Sequence, residues 1–80
     1  MPFASTPFSG REVPTVMNRR VRLTKPFGVL PTGLRGTVTN AHPRWAGFVV
    51  EVRWETLGPC YLFGFEFFTK TEFNEYLTEC

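Results

Sequence analysis

The stretch RRVRLTKPFGVLPTGLRGTVTNAHPRWAGFVVEVRW, residues 19–54, decides the fold. Over residues 19–25 Val21 and Leu23 face one way and Arg20, Arg22 and Thr24 the other, the period of a half-buried strand. Pro26 ends it, because proline brings no N–H to a ladder. Residues 27–33 hold two turn signals, Phe27-Gly28 and Pro31-Thr32-Gly33, in a loop made apolar by Phe27, Val29 and Leu30. Such a loop is expected to fold over an open end of the sheet. Residues 34–40 form a second strand with Leu34, Gly36 and Val38 on one face, and Gly36 suggests a bulge or the close approach of another backbone. Residues 40–47 read as a loop, with His42 as an exposed loop residue. Residues 48–55 form the strongest strand, with Phe48, Val50, Val52 and Trp54 on one side and Val49, Glu51 and Arg53 on the other. The expected inner face is Val21, Leu23, Val38, Val50, Val52 and Trp54.

Outward from this stretch, residues 56–59 read as a turn. Residues 60–68 alternate again, Tyr61, Phe63, Phe65 and Phe67 against Leu62, Gly64 and Glu66. The period then changes. Thr69-Lys70-Thr71-Glu72 fits a capping box with Thr69 as N-cap and Glu72 at N3. Phe68 and Phe73 stand at the positions of a hydrophobic staple around it. A helix is therefore expected over about residues 70–78, too short to stand alone and so docked on the sheet. Residues 1–18 hold three prolines and no sustained period, which reads as a mobile arm. Phe3, Phe8 and Val13 either pin that arm to the sheet or bind something else.

Eighty residues make one domain near the small end of what folds alone. Nine Phe, two Trp and two Tyr supply a core large enough for a barrel or sandwich without a metal or disulfide. Cys60 and Cys80 read as free thiols of a reducing cytoplasm, with a bridge or an intermolecular bond as the alternative. No signal-peptide pattern opens the chain, and no run approaches the roughly 18 apolar residues of a membrane span. The expectation is a cytoplasmic protein with no membrane contact. Net charge is +2, unevenly spread: residues 1–53 carry eight Lys/Arg and two Glu, and residues 54–80 one Lys and five Glu.

Enzymatic chemistry is not expected. Nucleophilic catalysis needs a base beside the nucleophile. His42 is the sole histidine, and there is no Asp to orient an imidazole. Glu72 and Glu75 read as a cap and a solvated face rather than an acid pair. The Cys and His spacing fits no zinc pattern, and Gly28, Gly33 and Gly36 form no phosphate-binding loop. No catalytic residue, metal ligand or cofactor is assigned. Basic and aromatic residues carry the binding signal: Arg20 and Arg22 on the outward face of the first strand, Lys25 and Arg35 flanking the apolar loop with Phe27 and Leu30 in it, and Arg44 with Trp45 on the next loop. Arginine beside an exposed aromatic suits a protein interface, and it also suits phosphates and bases.

The strand Arg20-Val21-Arg22-Leu23, the apolar Gly/Pro loop, Gly36-Thr37-Val38, Val50-Glu51-Val52-Arg53-Trp54 and the Phe-rich strand together resemble the SH3-like barrel. The likeness covers residues 19–73 and is nearest to small bacterial versions, KOW-type modules and the little peripheral subunit of photosystem I. The closing helix and the Pro-rich arm depart from that pattern. The resemblance implies an all-β barrel of about five short antiparallel strands; with the short C-terminal helix read from the capping box it spans 19–80. The fifth strand is expected from a split of residues 60–68 at Gly64 or from the arm. The resemblance further implies a non-catalytic module that docks through its loops on a larger assembly or on nucleic acid. A protein partner, with the chain as accessory subunit, is the first expectation, and the chain is expected to be a monomer or, through an exposed strand edge, a weak homodimer. Nucleic acid bound through the basic face, Arg53 included, is the alternative.

Overall fold

Alternation in residues 19–54 does fold as three strands, and the sheet grows from them. The computed structural model describes residues 5–55 and 64–80. Within these, β1 is Arg20–Leu23, β2 Arg35–Arg44, β3 Gly47–Trp54, β4 Phe65–Phe68 and β5 Leu77–Glu79, with α1 at Val13–Val16 and α2 at Lys70–Tyr76. The five strands form one antiparallel sheet in the order β4-β3-β2-β1-β5. Among the described residues β4 and β5 do not pair, so the sheet is not closed there. The expected turn at residues 56–59, and Cys60, Tyr61, Leu62, Phe63 and Phe3, lie outside the described residues. Cys80 is exposed and not disulfide-bonded.

Two expectations are corrected, and a third is decided between its two alternatives. The loop placed at residues 40–47 is mostly strand: β2 runs on to Arg44 and joins β3 through a two-residue turn, Trp45-Ala46, closed by the Arg44–Gly47 pair. Ala46 takes φ 68°, a left-handed conformation uncommon outside glycine, which the tight turn imposes. The bulge lies at Val38/Asn40 rather than at Gly36. Gly36 instead answers to close approach, because a Cβ there would meet the Arg53 carbonyl oxygen at 2.7 Å and Trp54 Cε3 at 2.8 Å. Finally, the fifth strand of the described sheet does not come from the arm, and the expected split of residues 60–68 at Gly64 falls largely outside the described residues. That fifth strand is β5, which follows α2 directly and pairs with β1.

All six residues of the expected inner face are buried, joined by Phe8, Leu30, Phe68 and Leu77. In β4 the core side chain is Phe68, because the register sets Phe68 against Val50 and Phe67 against Glu51. The capping box forms as read: Thr69 Oγ1 accepts from Glu72 N–H, and Glu72 Oε1 accepts from Thr69 N–H at 3.1 Å. From Ser5 onward the N-terminal segment lies against the sheet. Phe8 and Phe48 exchange two backbone bonds of 2.9 Å on the edge of β3 beyond the end of β4. Thr6 N–H donates to Thr71 Oγ1 at 2.8 Å, and Lys70 pairs with Glu12.

The β4 register makes a sharp prediction. Phe68→Ala empties a fully buried site and should cost about 3–5 kcal/mol, whereas Phe67→Ala, on the outer face, should cost about 1 kcal/mol or less. Denaturant unfolding of the two variants checks this, and equal losses would contradict the register.

Candidate functional site

The bulge between Val38 and Asn40 changes which residues of β2 face out. Before it, Gly36 and Val38 face the core; after it, Ala41 does so, opposite Val50. His42 and Arg44 are thereby placed on the outer face. There β3 contributes Glu51 and Arg53, and β4 contributes Phe65 and Phe67 in register with Arg53 and Glu51.

Glu51 is the centre of this face. It is 8% exposed, the one buried charged residue among those described. Its carboxylate accepts from His42 Nε2 at 3.0 Å, Arg53 Nε at 2.9 Å and Thr39 Oγ1 at 3.2 Å. A buried carboxylate is tolerable only when paired and hydrogen-bonded in this way. The hydrogen bond from His42, with those from Arg53 and Thr39, holds the Glu51 carboxyl below its ordinary 4.5 against the desolvation that pushes it up. Three donors occupy most of the carboxylate's acceptor sites. The carboxylate therefore orients its neighbours, fixing the His42 ring edge-on to Phe67, with centroids 5.1 Å apart. The Arg44 guanidinium lies 5.6 Å from the Phe67 centroid and that of Arg53 lies 5.5 Å from Phe65, distances of cation–π contact. Phe67 stays 37% exposed and Trp45, at the hairpin tip, 94%.

The residues singled out in the sequence separate into three groups. Arg44 and Trp45 stand at the hairpin end beside Phe67 and His42. Arg20, Arg22 and Arg35 are exposed near the other end of the sheet, on β1 and the start of β2, with Arg20 bound to Glu55 at 2.7 Å. Lys25, Phe27 and Leu30 belong to neither place. Lys25 pairs with Glu75 at 2.9 Å and covers Tyr76. Phe27 packs between Phe68 and Tyr76, with centroids at 4.8 and 4.9 Å, and Leu30 is 5% exposed in the core. Of their loop only Val29 reaches solvent as a large apolar side chain.

Glu51 and Phe67 are candidate site residues that the sequence did not single out, and His42, expected as an exposed loop residue, is half-buried on β2. One signal for Glu51 was present: it is the only acid in an otherwise apolar stretch, residues 47–52. A separate cleft of about 270 Å³ lies between α1 and the α2–β5 end, lined by Val16, Arg19, Phe73, Asn74, Thr78 and Glu79, among others. Arg19 and Glu79 pair with each other there.

Compared with known proteins, the chain matches no family model, no curated protein and no solved structure. No helix among the described residues is long and apolar enough to cross a membrane.

Because the Glu51 carboxyl titrates lower in the folded chain than in the unfolded one, its ionised form stabilises the fold above about pH 4.5. That contribution is lost as pH falls through the folded value. Glu12, lowered by Lys70, acts on the same limb. Glu51→Gln should therefore be less stable than the parent at pH 7, and should lose less on acidification from about pH 5 to about pH 3. Thermal unfolding across that range checks it; parallel acid limbs would contradict the network.

Proposed function

We propose that this chain is a non-enzymatic binding module of the SH3-like kind. In this reading it docks as an accessory subunit on a protein partner through the Arg44–Trp45 end of the β2–β3 hairpin. The single observation that carries it is Trp45, 94% exposed at the tip of a tight turn. A solvated indole costs hydrophobic free energy unless a partner covers it. Tryptophan and arginine side by side are the residue types that dominate interface energetics. The turn is also held in place. Gly47 packs so closely on the N-terminal segment that a Cβ would meet the Phe8 carbonyl oxygen at 2.5 Å. A pre-shaped tip loses little entropy on docking. The strand order, with a short helix between β4 and β5, supports the SH3-like reading. Closure into a barrel is part of the proposal.

Nucleic acid is the second reading, favoured by cations beside aromatic rings on the same outer face, Arg44 with Phe67 and Arg53 with Phe65.

Partner capture with the tagged full chain, followed by titration of the purified pair, tests the first reading. Trp45→Ala should weaken that complex by about 2 kcal/mol or more, roughly thirtyfold in Kd, while its unfolding midpoint stays put. An unchanged Kd would remove the hairpin tip from the interface. If instead oligonucleotide binding falls steeply with salt and weakens in Arg44→Gln, the second reading replaces the first.

A further inference from the structure

The chain pairs most of its cations with carboxylates. Arg19 meets Glu79, Arg20 meets Glu55, Lys25 meets Glu75, Arg53 meets Glu51 and Lys70 meets Glu12. Arg11, Arg22, Arg35 and Arg44 have no such pair among the described residues, and of these Arg22 and Arg35 stand together. Both are exposed, neither has an ion-pair partner among the described residues, and the β1–β2 register sets them directly opposite each other. The flanking ladder bonds, Leu23 N–H to Leu34 O at 2.9 Å and Val38 N–H to Arg19 O at 2.9 Å, make theirs a non-hydrogen-bonded pair. In such pairs opposed side chains lie closest, with Cβ atoms about 4.5 Å apart, and like charges there repel. The nearest carboxylate by register is Glu55, whose N–H bonds the Arg35 carbonyl, but its Oε2 is taken by Arg20 at 2.7 Å. On the other flank of Arg22 the register places Thr78, a neutral hydroxyl, on β5.

We propose that Arg22 and Arg35 form a two-arginine clamp for a phosphate group, either free or carried on a larger molecule. Two guanidinium forks side by side present parallel N–H donors that match the oxygens of one tetrahedral anion. A bound anion also relieves the repulsion that the register imposes. Arg20 and Thr78 flank the clamp, the first adding charge and the second a hydroxyl. The site lies near the opposite end of the sheet from Trp45 and is independent of the protein-docking reading.

The test follows the Nε–Hε signals of Arg22 and Arg35 by NMR in the full chain. Inorganic phosphate replaces chloride at constant ionic strength, and a second titration uses a short oligothymidylate. Both signals should shift saturably with phosphate, and the shifts should vanish in Arg35→Gln and in Arg22→Gln. Tighter binding of the oligonucleotide, counted per phosphate group, assigns the clamp to a phosphodiester; tighter binding of inorganic phosphate assigns it to the free anion. Without added anion each Gln variant should melt higher than the parent. Phosphate should raise the melting temperature of the parent and leave the variants unmoved. Linear shifts equal to those in chloride, or phosphate stabilisation that survives in both variants, would overturn the proposal.

Discussion

One irregularity in one hairpin sets which side chains this protein shows to solvent. β3 keeps strict parity, with Val50, Val52 and Trp54 inward. β2 does not, because two residues, Thr39 and Asn40, occupy the space opposite Glu51. Without that extra residue Asn40, His42 and Arg44 would continue the inward row begun by Gly36 and Val38. Burying an imidazole and a guanidinium among Phe68, Leu23 and Val50 would cost several kcal/mol without partners to match. The bulge removes that conflict and supplies Ala41, small and apolar, to the core. It also carries His42 and Arg44 to the side where Glu51 and Phe67 stand.

The outer face then holds itself together by electrostatics rather than by packing. Glu51 is buried under its own ligands, and those ligands are the residues that shape the surface: His42 against Phe67, and Arg53 against Phe65. The inner face is conventional in its physics. Ten buried side chains among the described residues fill it, and two of them come from outside the five strands, Phe8 through its bridge to Phe48 and Leu30 from the apolar loop. That division also sorts the apolar loop and turn residues. Phe27 and Leu30, aromatic and aliphatic residues of a loop, are used in the core, while Trp45 at a hairpin tip is not.

Much of this was legible in the chain. Period-two alternation placed β1, the start of β2 and β3 and chose their inner faces correctly, because one face of each is uniformly apolar. The start of α2 was legible because Thr69 and Glu72 are the residue types a capping box requires. The remainder of β2 was hidden: Asn40, His42 and Pro43 are turn-like residues, and a bulge breaks the alternation where they begin. β5 was hidden by its size, since Leu77-Thr78-Glu79 is too short to show a period and reads as the last turn of a helix. In β4 phenylalanine occupies both faces, so composition could not say that Phe68 goes in. The same limits applied to the site. Arg44 and Trp45 announce themselves, but the Glu51–His42 link depends on register across a bulge that no local pattern states. The opposition of Arg22 to Arg35 likewise appears only once β1 and β2 are aligned.

The register of the β2–β3 hairpin is therefore the point on which the account rests, and cross-strand NMR contacts report it directly. Close Hα–Hα contacts are expected between Val38 and Val52 and between Ala41 and Val50, with Thr39 and Asn40 sharing Glu51. A contact of Asn40 with Val50 in place of Ala41, or the absence of cross-strand contacts over residues 40–44, would contradict it and would take His42 and Arg44 off the outer face.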